Sequence, residues 1–372
     1  MHFPTSPMAS AVIPKALKPG DTIAFVSPSS RLNELLPSPM LRSAQFFERR
    51  GYPVKTIYAP IPTSSSTSIF LQKAQHVANE IHEAFLDPAV TCIISTIGGT
   101  EANEILRHID YEIIRNNPKI FVGYSDITHL LYAFLVKADL RCFYGPCVLT
   151  EFAEFPEPDV FTTDHFFQVL RGKGSSGTEG IAGKPMPMST AFTHLELPFF
   201  RTLGNGNEDI REIRDTTPTR PARFLRSGTA TGPLLGGCLR KLVSLSGSPF
   251  MPPSLHKGAI FFFEVSQGEY STPMPLARVR SDLVDLINSG LWDDIVGLVV
   301  GRTSLYDEKM NKELESMVEE LVDGGPDGGY KWPVLFGVDV GHTSPMLTLP
   351  FGALARLDSI KHEFSFLEEG VS

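Results

Sequence analysis

Residues 121–134 read FVGYSDITHLLYAF. An apolar run ends at Val122, a Gly-Tyr-Ser-Asp turn interrupts it, and Ile127, Leu130, Leu131 and Phe134 then recur at helical spacing. A short buried strand that turns tightly into a helix is the repeating unit of a parallel α/β sheet. Such a turn lifts one side chain to the carboxyl edge of the sheet, where ligands of these folds gather. Here it lifts the hydroxyl of Ser125, with the amide of Asp126 beside it at the helix N-terminus.

The same alternation extends upstream. Residues 22–26 (TIAFV), 54–57 and 90–96 (VTCIIST) read as strands, and 41–50, 71–85 and 102–108 carry apolar residues at helical spacing. Residues 14–150 therefore read as an α/β domain with a parallel sheet and helices on both faces. Residues 151–231 are rich in Pro, Gly, Ser and Thr, as in RGKGSSGTEGIAGKPMPMST (171–190), and read as an interdomain linker or lid with loops and a hairpin. Residues 232–372 read as a second domain of mixed β and α structure. It has strands at 259–265, 295–300, 334–338, 353–357 and 363–367 and helices at 239–245, 276–289 and 309–322.

Composition narrows the function. The charge of −9 comes from 33 Lys plus Arg against 42 Asp plus Glu spread along the chain, so no basic stripe offers itself to nucleic acid. No apolar run approaches the roughly 20 residues of a membrane span, and the opening MHFPTSPMASAVIPK lacks the pattern of a signal or transit peptide. A cytoplasmic protein is expected. Cys92, Cys142, Cys147 and Cys238 show no metal-ligand spacing, so reduced thiols and no metal or other cofactor are expected.

Four positions carry potential chemistry. Ser125 is either a nucleophile on an elbow or a serine capping a helix, and the fifth residue of its motif is Ile127 where a nucleophile elbow usually has Gly. Gly98-Gly99-Thr100 follows a buried strand and opens the 102–108 segment, so its backbone can present amides to an anion, or it is simply a tight turn. Glu264 ends the apolar run GAIFFFE and is either a buried acid in need of a partner or a strand end emerging into water. His342 lies in GVDVGHTSPMLTLPFG (337–352), a loop shaped by Gly341, Pro345 and Pro350. Asp339, three residues earlier, competes with Glu264 as its partner, whereas His129, on the helix after Ser125, reads as a surface or packing histidine.

Taken together, PGDTIAFVSPSS (19–30), STIGGTEANEIL (95–106), VGYSDIT (122–128), GPLLGGCLRKLVSLSGSPFMP (232–252), FFFEVS (261–266) and GVDVGHTSPMLTLPFG resemble the serine LD-carboxypeptidases, murein tetrapeptide carboxypeptidases and microcin C self-immunity peptidases, over most of the chain. The resemblance leans toward the immunity-like branch. It implies Ser125 as nucleophile, His342 as general base and Glu264 as the acid that orients it, with the amides of Gly99 and Asp126 as the oxyanion hole. It also implies a Rossmann-like fold for the N-terminal domain (14–150), a cleft site between the two domains, a homodimer, and a small peptide or peptide-conjugate substrate. A free substrate carboxylate calls for a cation, for which Arg240, Arg278 and Arg280 are candidates, with Thr100 as a further substrate contact. Immunity-type relatives stack aromatic residues of the interdomain loop, often tryptophan, on a nucleobase. This chain has tryptophan only at Trp292 and Trp332, so Phe192, Phe199 and Phe200 are the residues available for that task. Two alternatives stay open: an acyltransferase or an amide or ester hydrolase acting on a small metabolite, and a non-catalytic nucleotide-binding protein.

Overall fold

β-Branched and aromatic runs supply the strands. In the computed structural model, which describes residues 11–61, 69–174, 179–194, 197, 210–268 and 271–372, the first half runs β1 (Thr22–Val26), α1 (Pro37–Glu48), β2 (Val54–Ile57), α2 (Ile69–Leu86), β3 (Val90–Ser95), α3 (Tyr111–Asn116), β4 (Ile120–Gly123), α4 (Thr128–Ala138) and β5 (Phe143–Tyr144). A middle segment contributes α5 (Val160–Arg171), β6 (Ala191–His194), β7 (Thr217–Pro218) and β8 (Arg223–Arg226). The second half runs β9 (Thr229–Cys238), α6 (Leu239–Leu245), β10 (Ile260–Glu264), α7 (Leu276–Asn288), α8 (Leu291–Asp294), β11 (Gly297–Gly301), α9 (Glu308–Asp323), β12 (Val334–Val338), β13 (Thr343–Ser344), β14 (Leu349–Pro350), β15 (Leu354–Asp358) and β16 (Glu363–Phe366).

The α/β expectation holds. The first sheet has the order β14-β5-β4-β3-β1-β2, with β5 to β2 all parallel. Both faces of β4 are buried, so its sequence is a continuous apolar run instead of an alternating one. The second sheet has the order β16-β15-β9-β10-β11-β12-β8; its four central strands are parallel and its outer ones antiparallel. A small sheet, β13-β6-β7, joins the middle segment to the residues just after His342.

The two halves interlock. β14, from the second half, completes the edge of the first sheet beside β5. At a further contact, Gly237 brings the end of β9 onto the start of α4, where an added Cβ would lie 2.5 Å from the Thr128 Cγ2. The Thr128 hydroxyl donates to the Ser125 carbonyl at 2.6 Å and accepts from the Cys238 amide at 3.2 Å, so one side chain ties the turn after β4 to the end of β9.

Two local readings change. Residues 102–108 form successive turns and no helix. Bonds there span three residues, as in Glu104 N to Glu101 O and His108 N to Ile105 O, so Ile105 and Leu106 reach the core without the i to i−4 ladder an α-helix requires. Between 151 and 231, where loops and a hairpin were expected, the chain also forms α5. Asp159 caps it by accepting from Phe161 N and Thr162 N at 2.8 and 3.3 Å. The buried face of α5 includes Thr162, Thr163 and His165, which hides the apolar period. Its Phe166 and Phe167 pack against Phe46 and Phe47 of α1 and Phe152, with the Phe47 and Phe152 rings 4.7 Å apart.

The close approach at Gly237 generates a test. Gly237 and Gly247 both have positive φ, but a Cβ at Gly247 meets nothing within 4 Å. Gly247→Ala is expected to lose about 1 kcal/mol from backbone strain alone. Gly237→Ala adds a clash costing a further ~1–3 kcal/mol, and urea unfolding of the two variants checks the order.

Candidate active site

The turn after β4 places Ser125 in a conformation few L-residues adopt. Its φ is 60°, a left-handed position that costs a non-glycine residue on the order of 1–3 kcal/mol and persists only where neighbours hold it. They do so here. Ile127 N donates back to Tyr124 O at 3.1 Å, and Ser125 N donates to the Tyr144 hydroxyl at 3.3 Å. A Cβ on Gly123 would fall 2.8 Å from Ile127 Cγ2 and 3.0 Å from Ser95 Oγ. Ile127, the residue that departs from the usual motif, thus folds over Gly123 and closes the turn from inside.

Three distant side chains meet at this turn. His342 Nε2 lies 3.0 Å from Ser125 Oγ, and His342 Nδ1 lies 2.7 Å from Glu264 Oε2. Glu264 has no solvent exposure; its other oxygen accepts from the Tyr144 hydroxyl at 2.8 Å. Gly341, at φ 115°, lets the loop after β12 pass this close, since a Cβ there would sit 2.8 Å from Glu264 Oε2. The Tyr124 ring meets the imidazole edge-on at 5.2 Å. Asp339 is engaged elsewhere: it pairs with Arg302 and accepts from the Ser189 amide and hydroxyl at 2.9 and 2.6 Å.

The Gly98-Gly99 turn faces the serine. A Cβ on Gly98 would lie 2.8 Å from Ser125 Cβ and 3.3 Å from Asp126 N, and one on Gly99 would lie 2.6 Å from Ser29 Oγ. Asp126, wholly buried, fixes that arrangement through its carboxylate, which accepts from Ser29 Oγ at 2.6 Å and Ala102 N at 2.8 Å. Lys241 Nζ stands 2.8 Å from the same carboxylate and 3.1 Å from Gly99 O, and His129 Nδ1 is 3.2 Å away. Burial alone pushes the Asp126 pKa up, but the His129 contact and the Lys241 charge outweigh it and hold the carboxyl far below its usual range. His129 is a packing histidine, buried, with Nε2 2.8 Å from Ser244 Oγ on α6.

Thr100 and Arg240 are exposed. Arg278 pairs with Asp282 at 3.0 Å within α7, and Arg280 faces Glu320 of α9 at 3.8 Å. Phe192 packs under the Arg302 guanidinium at 4.8 Å, whereas Phe199 and Phe200 lie outside the described residues. Trp292 and Trp332 pack together at 5.5 Å, with Tyr330 against both. Lys241 and Tyr144 were not singled out from the sequence. Lys241 adjoins Arg240 in the segment after Gly236-Gly237, and its side chain, not that of Arg240, turns toward the serine. Among the described residues no cluster of His, Cys, Asp and Glu could hold a metal ion, and no helix is long and apolar enough to cross a membrane.

Family models of the LD-carboxypeptidase N-terminal and C-terminal domains match residues 23–145 and 231–357, and the chain is 31% identical to the microcin C7 self-immunity protein MccF of Escherichia coli over 95% of each sequence. The chain belongs to the LD-carboxypeptidase family. It is accordingly a serine peptidase. A carboxypeptidase homologue of Vibrio cholerae is 29% identical, covering 96% of this chain and 98% of its own. Among solved structures, MccF in complex with aspartyl sulfamoyl adenosine superposes with a TM-score of 0.81 at 29% identity, covering 97% of this chain and all of the other. An MccF-like protein from Bacillus anthracis gives 0.79 at 27% identity, covering 95% and 98%.

The depressed pKa of Asp126 makes its contribution to LD-carboxypeptidase stability pH-dependent. With the folded value below the unfolded one of about 3.9, the stabilisation is fully present above that pH and is lost progressively as pH falls below it and through the folded value. Thermal melts between about pH 6 and pH 2.5 are therefore expected to fall more steeply for the native chain than for Asp126→Asn.

Proposed function

We propose that this peptidase cleaves an amide-type bond near the carboxyl terminus of a small peptide or peptide conjugate, with Ser125 as nucleophile, His342 as general base and Glu264 as its orienting acid. The observation that carries the reading is the unbroken chain of contacts Ser125 Oγ to His342 Nε2 at 3.0 Å and His342 Nδ1 to Glu264 Oε2 at 2.7 Å. Both fall within the reach required for proton transfer.

In this scheme His342 takes the Ser125 proton as Oγ attacks the carbonyl carbon. The tetrahedral oxyanion is received by the amides of Gly99 and Asp126, each worth roughly 3 kcal/mol of transition-state stabilisation. His342, now imidazolium beside the Glu264 carboxylate, returns the proton to the leaving nitrogen, and water repeats the cycle on the acyl-enzyme. The nucleophile comes from a side chain, so a chelator leaves the rate unchanged. The likeness to MccF, which has been solved with an aspartyl sulfamoyl nucleoside, supports an aminoacyl or peptidyl conjugate as substrate. The homodimer and cytoplasmic setting implied by the family resemblance belong to the same reading.

The test is hydrolysis of aspartyl sulfamoyl adenosine, followed as release of aspartate. Ser125→Ala and His342→Ala are each expected to lower the rate by about 10⁴-fold or more, and EDTA to have no effect. A folded Ser125→Ala protein that turns over at the native rate would refute the scheme.

A further inference from the structure

The contacts around Ser125 form a closed circuit through Tyr144. Its side chain is fully buried at the end of β5, with the hydroxyl 2.8 Å from Glu264 Oε1 and 3.3 Å from Ser125 N. An amide only donates and an ionised carboxylate only accepts, so the directions are forced: Ser125 N–H donates to the phenol oxygen, and the phenol's one proton goes to Glu264. With Ser125 Oγ to His342 and His342 to Glu264, the ring ties the nucleophile's backbone to the carboxylate that holds the histidine. Phe262 and Tyr124 stand edge-on to the Tyr144 ring, at 5.1 and 6.2 Å, and fix its orientation. Burial, with Glu264 adding to it, raises the phenol's pKa well above its ordinary value, so the shared proton stays on Tyr144.

We propose that Tyr144 is a positioning residue for the Ser125, His342 and Glu264 array, acting through its hydroxyl on both the carboxylate and the serine amide. The inference rests on the catalytic reading of those three residues. A donor on Oε1 draws negative charge away from Oε2 and so weakens the hold of Glu264 on a protonated His342. Removing it strengthens that hold and moves the acid limb of the activity profile to higher pH. It also frees the Ser125 amide and lets the strained turn relax, which slows attack. Other titratable groups face this array from neighbouring elements. Cys238 at the end of β9 feels Glu264, Tyr124 meets His342 edge-on with Glu151 behind it, and the Asp126 and Lys241 pair flanks Ser125. Substitution at Tyr144 leaves all of them in place.

The experiment measures the rate of labelling by a fluorophosphonate probe against pH, in the full chain, for the native protein, Tyr144→Phe, Tyr144→3,5-difluorotyrosine and Ser125→Ala. Tyr144→Phe is expected to label about 10- to 100-fold more slowly, as for loss of one hydrogen bond to a charged group, with its acid limb shifted to higher pH. Difluorotyrosine is nearly isosteric and a stronger donor, and is expected to shift the limb to lower pH; it decides the matter should Tyr144→Phe fail to fold. Native rates and an unmoved limb in a folded Tyr144 variant, with Ser125→Ala unlabelled, would overturn the role of Tyr144 alone. Labelling of Ser125→Ala at the native rate would overturn the catalytic reading beneath it.

Discussion

A carboxylate with no access to water must be answered by donors, and at Glu264 those donors come from opposite sides of the molecule. His342 arrives on the loop after β12 of the second sheet, and Tyr144 from β5 of the first. Removing one partner of such a buried charge costs on the order of 3–5 kcal/mol, so the two sheets are held at the distance that keeps both contacts. The glycines nearby follow from that constraint. Gly341 and Gly301 occupy positions where a Cβ would lie 2.8 and 2.9 Å from Glu264 Cβ.

A second tie fixes the serine's side of the crevice. Asp126 gathers Ser29, Ala102, His129 and Lys241 around one buried carboxylate. His129 and Lys241 also reach α6 or come from it: His129 contacts Ser244, and Lys241 contacts Gly99 O. The strained residue, the Gly-Gly turn and the second half are thereby set against one another before any substrate arrives. Such preorganisation is what a site for a developing oxyanion requires, because donors already in place need no reorganisation during the reaction.

Where the signal is local, the sequence points to the residues that meet at the turn after β4. Ser125 stands out because a strand-to-helix turn exposes it, Glu264 because an acid ends five apolar residues, and His342 because glycine and prolines shape its loop. Tyr144 is not legible because nothing in RCFYGP marks its phenol; its contacts are with residues 19 and 120 positions away. The sequence does not say which of the adjacent cations Arg240 and Lys241 on a short helix turns inward, and it is Lys241 that reaches Asp126. Asp339 was a plausible partner for His342 by proximity along the chain, yet the buried Arg302 claims it. The 102–108 segment has helical spacing, but its first residue is held by Asp126 and its bonds stay within single turns.

The central claim, that Ser125 attacks within an oxyanion site formed by the two flanking turns, is tested most directly by a crystal structure of the protein after reaction with a fluorophosphonate. The account predicts phosphorus on Ser125 Oγ, with one phosphonyl oxygen about 2.7–3.1 Å from both Gly99 N and Asp126 N and His342 still against Glu264. A phosphonate on another residue, or one on Ser125 whose oxygen points away from both amides, would contradict it.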